Sequence, residues 1–244
     1  MILLVFRPKT NIKFHQQAGF TLVELAIVLV VVGLLIGGIL KGSEMITHAS
    51  MMRTKADIES FQVAYQQFRD MYKAIPGDFN RAESYLPNCN PPNCVNGNGN
   101  GIIGSPSANG TTDQTGAGTP QVETTMFFKH LLLAGLITGV TAASDPSVPE
   151  IGGTHPKTPL GGAYSAYYRQ GWHGISIKGC PQNSACERGI LSPARAQLLD
   201  IAIDGESDAG RGRLIANGGG CNHTAGTYDL STKSPCYILI TLGR

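Results

Sequence analysis

Residues Gly19–Leu40, GFTLVELAIVLVVVGLLIGGIL, decide the fold. The twenty-one residues after Gly19 carry one charged side chain, Glu24. As a helix rising about 1.5 Å per residue they cover roughly 30 Å, one bilayer core. The stretch therefore reads as a membrane span. A carboxylate inside such a span costs about 2.5–3.5 kcal/mol when central and less near an end, so Glu24 calls for a partner. A cut just before Phe20 would supply one, because the new α-amino group would lie about one helical turn away. An ordinary secretory signal has its apolar region ahead of the cut, the reverse of this order. A plain signal anchor accounts for the hydrophobicity but leaves the Gly-Phe-Thr-x-x-Glu arrangement unexplained.

Outward from the span, composition sets limits. The chain has 244 residues and a formal charge of +2. Three of its 19 basic residues, Arg7, Lys9 and Lys13, precede the span, so removing that leader leaves 16 basic against 17 acidic residues, or −1. No basic footprint for nucleic acid survives. The whole chain has 31 Gly and 14 Pro, most of them beyond the span, so that part reads as one loop-rich head.

Six cysteines, Cys89, Cys94, Cys180, Cys186, Cys221 and Cys236, all lie downstream of the span. An even set of this kind suits an oxidising compartment and three disulfides, for which about fifteen connectivities exist. Pairing of sequence neighbours is expected: Cys89 with Cys94, Cys180 with Cys186, Cys221 with Cys236. No Cys-x-x-Cys occurs to favour a metal site. Basic residues flank the span evenly, with Lys41, Arg53 and Lys55 after it, so the cysteines place the C-terminal side outside the cytoplasm.

No proline interrupts the chain between Leu40 and Pro76, and Ile58, Phe61, Tyr65, Phe68 and Tyr72 recur at steps of three and four. This predicts one helix from Phe20 to about Ala74 whose later stripe packs on a globular core. Ile75-Pro76-Gly77-Asp78 breaks it, and Asp78 is expected to cap a short helix through about Leu86. Residues 87–121 read as a long loop, either disordered or folded around something. A helix is expected over Glu123–Thr138, with Phe127, Leu131, Ala134 and Ile137 on its apolar face and Gly139 closing it. Ala163–Tyr168 and Gly174–Lys178 read as strands, Pro193–Ile203 as a helix, and Cys236–Leu242 as the last strand, with Leu214–Ala216 a candidate partner. The expected fold class is α+β, a small antiparallel sheet on a long N-terminal helix.

Gly19-Phe20-Thr21-Leu22-Val23-Glu24 followed by an apolar run resembles the processing site of type IV pilins and type II secretion pseudopilins, over about a tenth of the chain. The resemblance implies a pilin-like fold and cleavage after Gly19 by a membrane prepilin peptidase. It also implies methylation of the new N-terminal Phe20, and pairing of Glu24 with a neighbouring subunit's N-terminus during assembly. The implied organisation is a leader over 1–19, a membrane and filament-core helix over 20–40, its continuation over 41–74, and an extracytoplasmic head over 75–244. The leader opens on MILLVF, unlike the short basic leaders of the family, and is expected to be absent from the mature protein. The Gly77-Asp78 turn, the Asn-Gly loop and Phe127-x-x-His130-Leu131-x-x-Ala134-Gly135-Leu136-Ile137 resemble a recurrent group of proteobacterial pilin-like proteins. Closing the C-terminal loop through Cys221 and Cys236 would resemble the disulfide-bounded region of many pilins.

The implied function is structural. A single-pass bacterial inner-membrane precursor is cut, then assembled with other pilin or pseudopilin subunits at an inner-membrane platform into a pilus or periplasmic pseudopilus. Membrane lipid is a partner, and nucleic acid is not expected. Major pilins commonly carry a proline near the end of the span, where this chain reads Leu40-Lys41-Gly42, and the large head likewise favours a minor pilin or pseudopilin. The alternatives are a surface-binding minor pilin module, recognising a ligand through the 87–121 loop or the Trp172 region, and a signal-anchored extracytoplasmic domain.

No cofactor is required by this reading, and calcium is the one metal considered. Pseudopilins resembling this chain can hold it in the C-terminal part of the head, where Asp204-Gly205-Glu206-Ser207-Asp208 offers Asp204 and Asp208 as ligands; the rival is a capped turn. Asn96, Asn98, Asn100 and Gly101 have calcium-loop spacing but only neutral amides, with Ser107 at the twelfth position. The scattered histidines show no spacing to a nucleophile or acid that marks a catalytic motif, so the chain reads as non-enzymatic.

Overall fold

The computed structural model describes residues 20–104, 111–112, 119–146, 150–169, 171–179 and 189–243. The leader with Gly19, and the Cys180–Cys186 pairing, lie outside the described residues. The chain divides into two compact units, Met1–Ile46 and Thr47–Arg244. In the first, helix α1 (Leu22–Tyr72) begins, and its apolar side chains from Leu22 to Leu40 are exposed. The helix includes an 18-residue window of mean hydropathy 2.8, long and apolar enough to cross a membrane.

In the second unit α1 turns Ile58, Phe61, Ala64, Tyr65 and Phe68 into the core, as the three-and-four spacing predicts, with Tyr72 partly buried. Opposite it lies an antiparallel sheet of β1 (Thr111–Thr112), β2 (Ala163–Arg169), β3 (Trp172–Lys178), β4 (Leu214–Asn217) and β7 (Tyr237–Gly243), ordered β1-β2-β3-β7-β4. Its register aligns Tyr164 with Ile177, Ala166 with Ile175, Ile175 with Ile240, and Leu214 with Ile240. These residues share one face because side chains alternate along a strand, and all join the core. The expected partnership of the last strand with Leu214–Ala216 is present. A small hairpin, β5 (Cys221–Asn222) with β6 (Thr227–Tyr228), adds a pairing that the sequence pattern does not announce. The fold is the expected α+β, pilin-like arrangement.

Helix α3 (Thr119–Leu133) is the hub of the head, buried at every position from Glu123 to Leu131. Phe128 meets the Phe61 ring at 5.4 Å and the Phe127 ring at 5.0 Å, both edge-on. Such pairs contribute about 0.5–1.5 kcal/mol beyond the area they bury. The helix ends earlier than Thr138. Gly135, at φ 72°, takes the left-handed position, its N–H donating to Leu132 O at 2.9 Å and the Leu136 N–H to Leu131 O at 3.0 Å. That pair of bonds is a Schellman motif, so Gly135 rather than Gly139 closes the helix.

Polar side chains on α3 reach the surrounding loops. The Lys129 ammonium donates to Asn93 O at 2.6 Å and also to Ser144 O, and the Thr125 hydroxyl donates to Pro146 O at 2.7 Å. His130 accepts from the Gly77 N–H on Nδ1 at 3.0 Å and donates from Nε2 to Val95 O at 3.2 Å. Gly77, at φ 88°, must lack a side chain there, because a Cβ would fall 2.3 Å from Glu123 O.

Asp78 does not cap the short helix α2 (Ala82–Tyr85), which begins at Arg81 with no side-chain cap. Its carboxylate instead accepts N–H bonds from Gly99 at 2.7 Å, Asn100 at 3.1 Å and Gly101 at 2.8 Å. Glu123 accepts from Asn98 and Gly104, both at 2.9 Å. The described part of the long loop is thus folded around two carboxylates, since inward-facing amides stabilise an anion. The Asn98 and Asn100 side chains are used in Asx turns, accepting from Asn100 N and Ile102 N.

Burial, and secondarily the neighbouring Asp78 charge, push the Glu123 carboxyl up to about 7, despite its two N–H bonds. Burial pushes His130, His155 and His173 down to about 4. The unfolded chain therefore binds more protons at these histidines between pH 4 and 6.5, and stability falls as pH drops through that window. Glu123 acts oppositely: its folded value lies above the unfolded one, so its contribution is greatest at low pH and fades as pH rises from about 4.5 to 7. Glu123→Gln is expected to steepen the loss of stability between pH 6.5 and 4.5, checked by thermal melts of the detergent-solubilised chain across that range. An unchanged slope would show that Glu123 does not titrate there.

Candidate functional site

The start of α1 is the first site. Phe20 is 82% exposed and precedes the helix by one residue beyond Thr21. The Glu24 N–H donates to Thr21 Oγ1 at 3.2 Å, while Glu24 Oε2 accepts from the Thr21 N–H at 2.8 Å and the Thr21 hydroxyl at 2.9 Å. This reciprocal pattern is a capping box, with Thr21 as N-cap and Glu24 at the third helical position. Leu25 N–H donates to Thr21 O at 3.2 Å, the first bond of the helix. Thr-x-x-Glu is the sequence signature of such a box. A single carboxylate thus serves the helix start, and both of its short bonds fall on Oε2.

Residues 14–40 match the family model of the prokaryotic N-terminal methylation motif. This is the type IV pilin and pseudopilin signature. The pilin motif implies processing by a prepilin peptidase and assembly with other pilin subunits. Together with the apolar helix it is consistent with a membrane-anchored precursor. Neither a curated protein nor a solved structure matches the chain significantly.

The other sequence-derived positions fall in the head. Cys89 bonds to Cys94 and Cys221 to Cys236, as neighbour pairing predicts, and no described cysteine is free. The donor atoms of Cys89, Cys94 and His130 gather within 4.8 Å, but the two sulfurs are joined to each other and His130 is engaged by Gly77 and Val95. That cluster is not a metal site.

Asp204 and Asp208 lie at the end of helix α4 (Pro193–Asp204), which Gly205 terminates. Asp204 Oδ2 accepts from Leu214 N at 2.8 Å, and Asp208 Oδ1 from Gly210 N at 3.0 Å. Asp208 Oδ2 faces the Arg211 guanidinium at 3.6 Å. Sequence reading missed Asp200, which is fully buried. Its Oδ2 accepts from Asp208 N and from the Tyr228 hydroxyl, both at 2.9 Å, and its Oδ1 has no partner among the described residues. Burial, with smaller contributions from Asp204 and Asp208, pushes the Asp200 carboxyl up to about 6. Position i−4 from Asp204 on an otherwise apolar helix face was the available signal.

Thr21→Ala removes the hydroxyl half of the N-terminal box. A lost cap of this type costs about 1 kcal/mol, so amide exchange at Glu24 and Leu25, whose N–H groups bond to Thr21, is expected to accelerate roughly fivefold in micelles. Exchange at wild-type rates would assign the cap no energetic role.

Proposed function

We propose that this chain is a structural subunit, a minor pilin or pseudopilin, of a type IV pilus or type II secretion pseudopilus. One observation carries the reading: the N-terminal methylation motif is continuous with an exposed apolar helix that begins at the predicted cut. The precursor sits in the bacterial inner membrane with its head outside the cytoplasm, contacts lipid along 20–40, and is extracted by the assembly platform. The α-amino group of mature Phe20 on one subunit meets Glu24 of another, a pairing that competes with the Thr21 bonds on the same carboxylate. The uninterrupted helix through Leu40-Lys41-Gly42 and the large head support the minor or pseudopilin role. The protein is non-enzymatic in this reading and is itself the substrate of the peptidase.

Intact mass and N-terminal sequencing of the membrane-derived protein test the proposal. A chain starting at Phe20 with one added methyl group is expected where the peptidase is present, and the uncut chain where it is absent. An uncut chain in both strains would overturn the reading in favour of a signal-anchored domain.

Calcium at the end of α4 is a second proposal, favoured by the buried Asp200 Oδ1, which has no partner among the described residues, beside two further carboxylates. Hard oxygen donors of this kind suit the ion. Calcium is then expected to raise the melting temperature of the wild-type protein and to leave Asp204→Ala unmoved. A wild-type melting curve identical after chelation would remove the ion.

A further inference from the structure

The core-facing residues of β2, β3 and β7 fix the parity of the opposite face. Tyr167 aligns with Gly174, Gly174 with Thr241, and Arg169 with Trp172, so all of these lie on the side of the sheet away from α1. Beside them the 210–213 turn and His223 rise to form a cleft of about 500 Å³, lined also by Arg213 and Ile215. That volume lies in the range of small-ligand sites. The residues that line it include Arg169, Arg213, Trp172, Tyr167, His223 and Thr241, and no Asp or Glu. Tyr167 is buried with its ring across Gly174, where an added Cβ would fall 2.5 Å from it, and so forms the floor. Arg213 is anchored by donation to Gln62 Oε1, while Arg169 enters no ion pair among the described residues. Trp172 stays 39% exposed at the rim.

We infer that this cleft binds a carboxylated sugar unit of an acidic polysaccharide, the C–H face of the ring resting on Trp172 and its carboxylate on Arg169. A planar guanidinium matches a carboxylate through two parallel bonds, and an exposed indole offers an apolar platform with a polar edge. Single-stranded nucleic acid makes a different demand: a cationic track over several nucleotides, with successive stacking platforms. Here one indole serves a bounded cleft, and in the smaller hollow of about 210 Å³ that adjoins it across Gly210 and His223 Arg211 is paired with Asp208, so no cationic track with further stacking platforms continues from the cleft. The site does not depend on filament assembly, so its test stands apart from that of the processing motif.

Trp172 is the sole tryptophan of the chain, and its fluorescence reports on this cleft alone. Titration of the detergent-solubilised full chain with trigalacturonate is expected to give a saturable change, weakened about tenfold or more by Arg169→Ala and less by Arg169→Lys. Both variants are expected to keep the wild-type circular dichroism spectrum, because the Arg169 side chain enters no ion pair among the described residues and its strand pairing is through the backbone. Maltotriose is expected to give no response at the same concentrations. The absence of a saturable change with trigalacturonate, an equal response to maltotriose, tighter binding of a ten-residue oligothymidylate, or full retention of affinity in Arg169→Ala would each overturn the assignment.

Discussion

Glu123, Thr125, Lys129 and His130 sit on a helix stretch with no exposed flank, and that constraint organises the head. A polar group removed from water without a partner costs roughly 1–3 kcal/mol, and a charge more, so each of the four must find main-chain partners at once. The partners come from every neighbouring connection: Asn93 and Val95 near the first disulfide, Asn98 and Gly104 farther along that loop, Gly77 at the turn after α1, and Ser144 and Pro146 beyond α3. The loops lack regular structure of their own, yet their paths are specified because α3 dictates where their N–H and C=O groups point. His173 extends the scheme across to the sheet, its Nε2 donating to Gly101 O at 3.1 Å while Nδ1 accepts from the Tyr65 hydroxyl at 3.0 Å. Both histidines are therefore neutral, with the proton on Nε2.

Wherever a periodic pattern drives folding, the sequence was readable. The span, the Ile58–Tyr72 stripe, the alternating strands and the two described cysteine pairs all follow from spacing. Asp78 was not legible, because the rule that places such residues at helix starts is local and its partners lie more than twenty positions away. The Asn-Gly loop invited a cation reading for the same reason: its odd-even spacing is shared with metal loops, but the direction of the amides, which decides the sign of the guest, is not written in side-chain identity. The apolar pattern runs past Gly135 and so points to Gly139 as the stop, whereas the bonds that Leu131 and Leu132 make end the helix a turn earlier.

Thr21 shows a different obstruction. Thr-x-x-Glu is a local capping signature, whereas a charge in an apolar span points to a partner on another chain. The two roles are compatible, because a carboxylate can exchange partners within hydrogen-bond reach. A filament contact at Glu24 would then replace bonds already made within the subunit, so its net gain is smaller than that of an isolated charge meeting an amine.

The two described disulfides span only 5 and 15 residues. Loop-closure entropy on this scale is about 3 kcal/mol for the longer bridge and less for the shorter, whereas neither connects α1 to the sheet. The tertiary arrangement is instead carried by Phe61, Tyr65, Phe127, Tyr164 and the Ile ladder, none of which depends on sulfur chemistry. Oxidation can therefore follow collapse rather than guide it. Packing alone can choose the topology of the head, and the covalent stitches can then record a choice already made.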